Sequence, residues 1–323
     1  MHIPDGLLSA PVALTSAGLS AVAVGAACAR APVGFSARRA STIGVTAAFV
    51  FAAQMINFPI AGGTSGHLVG GVLAAVLVGP SAAVVVMTAV LILQCLVFGD
   101  GGLLALGANV LNMAVLHPLV GFTVYRAVVG RAGPSGVRGI AGVAFGSWIA
   151  TVVAAAACAG ELTLSGISTP WVVLSAMAGV HAVIGLGEAL IASLVVATVM
   201  RLRPELLRRV SSGAGATALT GVLLGLSSSL ALALFVSPFA CTWPDGLERV
   251  VAGLGIEPLR ARLALHAPLG GYTVAGMHGS WLGTSIAALA GTSIVFVACL
   301  GIGLLLAPKA GRSPPSRVEA SRS

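Results

Sequence analysis

The chain has 323 residues, 57% of them hydrophobic and only 8% charged, with a formal net charge of +8. Soluble domains carry about 25% charged residues, so water is excluded as the solvent for most of this surface. Apolar runs of about twenty residues recur along the chain and make it an all-α integral membrane protein. The short alternating segments of a transmembrane barrel are absent. The basic residues sit in loops, where they report topology rather than nucleic-acid binding. The 43 glycines suit close helix packing in lipid. Five cysteines (Cys28, Cys95, Cys158, Cys241 and Cys299) show no CxxC spacing and read as packing residues rather than thiolate ligands.

The amino-terminal stretch MHIPDGLL opens on a compact set of nitrogen donors. Met1 offers its amine, and His2 offers a backbone amide and an imidazole. These three grip a divalent metal in two fused chelate rings and leave one in-plane position for another imidazole. Four nitrogens in a plane suit Ni(II) or Cu(II), and low-spin Co(II) accepts the arrangement. The alternative is that Met1 is only a start residue and His2 an ordinary second one. The stretch lacks the basic segment of a signal peptide, so the terminus is expected to be retained.

Nine spans are expected, over 12–29, 41–57, 64–79, 81–98, 104–127, 139–159, 171–200, 215–236 and 280–306. Basic residues cluster after the first span (Arg30, Arg38, Arg39), between the fifth and sixth (Arg126, Arg131, Arg138), after the seventh (Arg201, Arg203, Arg208, Arg209) and in the tail (Lys309, Arg312, Arg317, Arg322). Only Arg249, Arg260 and Arg262 fall opposite. The positive-inside rule then places the amino terminus outside and the carboxyl tail inside.

The third span is short. Thirteen residues separate Gly66 from Pro80, about 20 Å of helix against roughly 30 Å of hydrocarbon. The preceding NFPIAGGTSG (57–66) is apolar but rich in helix breakers, which predicts non-helical backbone lining a cavity. His67 is expected at the start of the short helix, on the same side as Met1 and His2. It is either the fourth in-plane ligand or a helix-capping residue, and a helix amino end disfavours a cation.

Gln94, Asn109 and Asn112 are polar groups in apolar helices. They read as interhelical hydrogen-bonding residues, compatible with a second-shell role orienting the imidazoles. His117, before Pro118, reads as structural. His181 and Glu188 lie seven apart on one helix face and form either a packed polar pair or a proton relay. After a linker over 201–214, two further spans bracket an external loop containing PDGLERVVAGLGIEP, with apolar residues at helical spacing and turn chemistry at each PDG. His266 and His278 read as solvated loop residues.

MHIPDGLL, FPIAGGTSGHLVGG and FGDGGLLALGANVLNMA together resemble the CbiM/NikM family, the substrate-capture (S) components of energy-coupling factor transporters for cobalt and nickel. HAVIGLGEALI is similar to that family's last core helix. The segment 215–306, with PDGLER, resembles the two-span N component, so the chain looks like an M–N fusion. The resemblance implies a seven-helix S domain (1–200), a cytoplasmic linker (201–214), a two-helix N-like part (215–306) and a basic cytoplasmic tail (307–323). It implies Ni(II) or Co(II) as transported substrate rather than cofactor, held by Met1, His2 and His67. MHIPDG rather than MHIMEG leans towards nickel, with a cobalt importer for cobalamin synthesis as the alternative.

The implied partners are a CbiQ/NikQ-like transmembrane coupling protein and CbiO/NikO-like ATPases that drive toppling of the S component in a bacterial cytoplasmic membrane. This chain carries no G-x-x-x-x-G-K-[ST] loop, H-E-x-x-H or G-x-S-x-G, so it is expected to be neither the motor nor an enzyme. Rival readings are a self-sufficient channel or proton-coupled carrier using His181 and Glu188, a membrane enzyme with a Lewis-acid metal, and a purely structural partner.

Overall fold

A computed structural model describes residues 1–30, 37–130, 136–202, 219–256 and 267–307. Seven described helical segments are long and apolar enough to cross a membrane: Ala10–Arg30, Pro80–Phe98, Leu106–Val129, Gly136–Leu164, Pro170–Leu202, Gly221–Phe239 and Trp281–Leu305. In chain order, α1 is Ala10–Arg30 and α2 is Ala37–Gln54, followed by a hairpin of β1 (Phe58–Ile60) and β2 (Thr64–Gly66). Next come α3 (Gly71–Val78), α4 (Pro80–Leu93), α5 (Leu106–Asn109), α6 (His117–Val129), α7 (Gly136–Leu164) and α8 (Pro170–Leu202). Counting α5–α6 as one span, these make the seven helices expected of the amino-terminal part. Two further spans follow, one opening with α9 (Leu219–Ala231) and the other α11 (Trp281–Leu305), with the short α10 (Gly246–Gly253) between them. The expected linker lies almost wholly outside the described residues, as do the tail beyond Ala307 and His266.

Small residues set how closely these helices approach in lipid. A side chain at Gly303 of α11 would meet the backbone of Ala40 on α2 at 2.9 Å, and one at Gly146 of α7 would meet the Gly121 carbonyl of α6 at 2.6 Å. The carboxyl-terminal helices α9 and α11 therefore pack on α2, while α6, α7 and α8 form a second group. The span from Leu106 to Val129 widens into a π-helical stretch at Val110–Leu116, two residues before Pro118. Proline has no N–H to continue the ladder, and π-turns commonly mark functional sites.

The third span departs from expectation. The non-helical stretch is an antiparallel hairpin, Phe58 opposite Gly66, closed by Gly62 and Gly63 at positive φ. The helix begins at Gly71, four residues after His67, because Gly70 takes φ +77 and breaks any earlier turn. His67 therefore precedes the helix instead of starting it. The Val69 and Gly70 amides, which an earlier helix would leave unpaired, donate instead to the buried carboxylate of Glu188 on α8, at 3.2 and 3.0 Å.

The loop after α9 folds back over this end of the bundle. Ser65 donates from its amide to Pro244 O (2.9 Å) and from its hydroxyl to Trp243 O (2.8 Å). Cys241 N donates to Asn57 O (2.8 Å) and Leu269 N to Val97 O (2.9 Å). The expected amphipathic helix is α10, its Leu247, Val250 and Val251 buried against the bundle. It is not a free external helix: its packing partners are α8 and β2.

Candidate metal centre

The first five residues thread into the end of the bundle and are held there by polar contacts. Asn109 accepts the Ile3 amide at 2.8 Å and donates to the Ile3 carbonyl at 3.1 Å. Gly102 N also donates to Ile3 O at 2.9 Å. The Asp5 carboxylate accepts the Leu103, Leu104 and Ala105 amides, at 3.1, 2.8 and 3.2 Å. Met1 and Ile3 are buried as a result. A mobile dipeptide becomes a fixed set of donors, and its ordering entropy is spent on folding rather than on binding an ion.

The Met1 nitrogen then lies 2.9 Å from His67 Nε2. His67 Nδ1 faces the Leu68 carbonyl at 3.1 Å, which places the ring proton there and leaves the Nε2 lone pair towards Met1. With metal–nitrogen bonds of about 2.0–2.1 Å, adjacent donors in a plane sit about 2.9 Å apart. The two nitrogens therefore already stand at the spacing of neighbouring ligands. The His2 and His67 rings stack with centroids 5.5 Å apart and planes inclined by 21°.

Each ring nitrogen of His2 faces an oxygen acceptor. Nε2 meets Gln94 Oε1 at 3.2 Å, and Nδ1 meets Asp100 Oδ1 at 3.2 Å. Gln94 donates its amide to Gln54 Oε1 (2.9 Å), and Gln54 donates to Val69 O (2.8 Å). That chain of donors fixes the Gln94 oxygen towards His2, so a neutral His2 has one ring proton for two acceptors, Gln94 Oε1 and Asp100 Oδ1. With that proton on Nε2, held by Gln94, Nδ1 is left for a metal, the nitrogen needed to close a six-membered ring with the His2 amide. Asp100 occupies that direction, and the imidazole must turn from it to join Met1 and His67.

Electrostatics follow from burial. Desolvation lowers the pKa of His2, with partial compensation from Asp100. Desolvation, the amino-terminal charge and His2 hold the His67 pKa below the usual imidazole range, which favours the neutral ring that can ligate. Burial alone would raise Asp245, but the Met1 ammonium, the Glu248 amide and His67 outweigh it and hold its carboxyl below the usual carboxylate range. Among the described residues, no three His, Cys, Asp or Glu side chains form a cluster that could hold a metal. The donors here are main-chain nitrogens together with two imidazoles.

The structure thus brings Met1, His2, His67 and Gln94 together. Asn109 grips the Ile3 backbone instead of an imidazole, and Asn112 donates to Glu161 (2.7 Å), which also accepts from Ser16 of α1 (2.9 Å). His181 and Glu188 do not pair. Glu188 binds the chain after His67, Thr151 and His117, while His181 bonds Met177 O at 2.8 Å. Sequence reasoning missed four members: Gln54, Asp100, Tyr272 and Asp245. Tyr272, the one non-glycine residue at positive φ among those described, stacks on Phe98 at 4.9 Å and donates to Asp100 Oδ2 at 2.5 Å. Asp245 accepts from the Met1 amine at 2.7 Å. The available signal was the acids of FGDGG and PDGLER standing on the side of the membrane assigned to Met1.

The model of the cobalt uptake substrate-specific transmembrane region, CbiM, matches residues 2–206. The chain belongs to this family. A PDGLE domain matches 220–308. The chain is 38% identical over 312 residues to an Archaeoglobus fulgidus protein named as a fused nickel transport protein, NikMN, covering 94% of this chain and 98% of that one. It is 32% identical over 214 residues to the cobalt transport protein CbiM of Kyrpidia tusciae, covering 65% and 87%. The crystal structure of a truncated transition metal transporter superposes with TM-score 0.57 at 33% identity, over 62% of this chain and 99% of that one. The protein is a CbiM-family multi-pass membrane component of metal transport, not an enzyme.

Proposed function

We propose that this chain captures a divalent transition-metal ion, nickel in preference to cobalt, as the S component of an ATP-driven energy-coupling factor importer. The observation that carries the reading is the Met1 nitrogen at 2.9 Å from His67 Nε2, with the His2 ring alongside. Met1 N, His2 N, His2 Nδ1 and His67 Nε2 hold the ion in one plane, a geometry suited to Ni(II). The amine and amide protons leave on binding, so a dication enters a buried site at little change in net charge. Relatives named for nickel over most of the chain's length support the preference.

The division of labour follows. Residues 1–200 capture the ion, 201–214 form the linker and 215–306 form the N-like part, with the amino terminus outside. A transmembrane coupling protein and ATPase subunits supply the work in the cytoplasmic membrane, since the chain carries no phosphate-binding loop of its own.

The test is titration of Ni(II) and Co(II) into purified protein with its native amino terminus, with two added residues before Met1, and with His67→Ala. The extension keeps every side chain but turns the terminal amine into an amide. Loss of binding in both variants is the expected result. Full affinity in the extended protein would refute the four-nitrogen site.

A further inference from the structure

The residues proposed to hold the ion are covered unequally. On one side Ser65 binds the carbonyls of Trp243 and Pro244, and Gly246 packs so closely on His181 that a side chain there would lie 2.8 Å from Cε1. The Met1 and His2 side chains are 3% and 8% exposed, against 28% for the Asp100 carboxylate. Asp100 is therefore the side from which solvent reaches His2. The stretch FGDGG presses its carboxylate on that ring. Asp100 N donates to Gln94 O at 3.0 Å, so the turn closes on the residue whose side chain faces His2 Nε2. Gly101 takes φ +83, and a side chain there would lie 2.9 Å from Asn109 Nδ2 and 3.4 Å from His2 Cβ. Tyr272 donates to Asp100 Oδ2 at 2.5 Å, which leaves Oδ1 for His2 Nδ1 at 3.2 Å. With the one proton of a neutral ring on Nε2, two lone pairs face each other across that gap, and a cation between them relieves their repulsion. A metal ion bonded to both at about 2.1 Å would subtend about 100°, an ordinary angle between neighbouring ligands.

We propose that Asp100 is the entry ligand of the site: a divalent transition-metal ion lands between Asp100 Oδ1 and His2 Nδ1, and the turning imidazole carries it inward to Met1 and His67. The inference rests on the four-nitrogen reading above. At the rim the ion keeps water on its remaining positions. A lone carboxylate is a weak partner for Ni(II) or Co(II) beside nitrogen donors, so the ion moves on. As the ring turns, His2 Nδ1 stays bonded, while Asp100 Oδ1 and the waters are exchanged for the Met1 amine, the His2 amide and His67 Nε2. The amine and the amide each release a proton to water at that step, and the carboxylate stays behind on Tyr272. Asp100 thus sets the speed of loading rather than the affinity of the loaded site, because a contact made only on the way lowers the barrier equally in both directions.

The test is rapid mixing of Co(II) or Ni(II), as free ions, with the full purified chain, following binding and release in time beside titration at equilibrium. The native protein is compared with Asp100→Asn and Tyr272→Phe. Asn keeps the size and an oxygen for the Tyr272 hydroxyl but lacks the charge; Tyr272→Phe removes that hydrogen bond and keeps both the carboxylate and the ring on Phe98. Expected in Asp100→Asn is association slower by about tenfold, with dissociation slowed as much and affinity within about threefold of native. The difference should persist in 1 M salt, where charges more than about 3 Å apart are screened. Tyr272→Phe should load at close to the native rate. Native association in Asp100→Asn would overturn the proposal, and so would slow association that salt abolishes, which is steering by charge without contact. Weaker binding with faster dissociation would refute it too, by making Asp100 a support of the loaded site. Equal slowing in Tyr272→Phe would trace the defect to the seating of the loop and count equally against it. If extending the amino terminus abolishes binding while Asp100→Asn loads as the native protein does, this inference falls alone. Undiminished binding in the extended protein would bring down the four-nitrogen reading itself.

Discussion

Glu188→Gln separates two roles for the buried carboxylate behind the proposed metal-binding residues. Its oxygens face four groups: the Val69 and Gly70 amides at 3.2 and 3.0 Å, the Thr151 hydroxyl at 2.9 Å and His117 Nε2 at 3.2 Å. Gln replaces one oxygen with an NH2 group, so at least one buried donor meets another donor. Hydrogen bonds to charged groups are each worth about 1.5–3 kcal/mol, and the substitution should cost about 2–4 kcal/mol. Glu188→Ala would take the acceptor from the Val69 and Gly70 amides and from His117 at once, Thr151 keeping the Ser147 carbonyl, and would cost a large part of the roughly 5–15 kcal/mol stability of a typical domain, so Gln is the informative change. Val69 and Gly70 follow His67 directly, and loosening them should also weaken metal binding by about tenfold, the lower end for residues that orient ligands. Thermal melting in detergent, metal titration and uptake are measured on the same variant, and the first two should fall with the third. A variant that melts and binds as the native protein does but has lost uptake would refute this reasoning and restore Glu188 as a proton relay.

Gln94→Leu removes the oxygen that holds His2 Nε2–H and should weaken Ni(II) binding by about 10–100-fold; unchanged affinity would exclude His2 Nδ1 as a ligand. Asp5→Ala takes the acceptor from three amides and should cost about 1–2 kcal/mol, as for a lost helix cap. It should also lower metal affinity without touching a donor, since Asp5 positions the amino-terminal segment; titration beside a melting curve separates the two effects. Binding should strengthen as pH rises, because protons leave on loading, with log affinity climbing by about two per pH unit. Because burial and neighbouring positive charge lower the His67 pKa, its own protonation adds to that loss only below the usual imidazole range. A slope near zero between pH 6 and 8 would exclude release of the amine and amide protons.

Local chemistry was legible in the sequence. Apolar runs and 8% charge declared a helical membrane protein, and MHIPDGLL declared three nitrogens because they are joined by covalent bonds within one dipeptide. PDGLER declared a turn and a short helix, since Asp245 and Glu248 are three residues apart and cap each other. The start of α3 was misplaced by four residues because its amides are satisfied from α8, by Glu188, more than a hundred residues away. The pairing of Met1 with Asp245, 244 residues apart, is set by the closing of the PDG segment over His181. So is the sharing of Asp100 between His2 and Tyr272, which depends on the aromatic stack that seats the carboxyl-terminal loop. Bonded neighbours fix which donors exist. Only packing brings an acid from one end of the chain to an amine at the other, because the low-dielectric interior leaves neither charge buried without a partner.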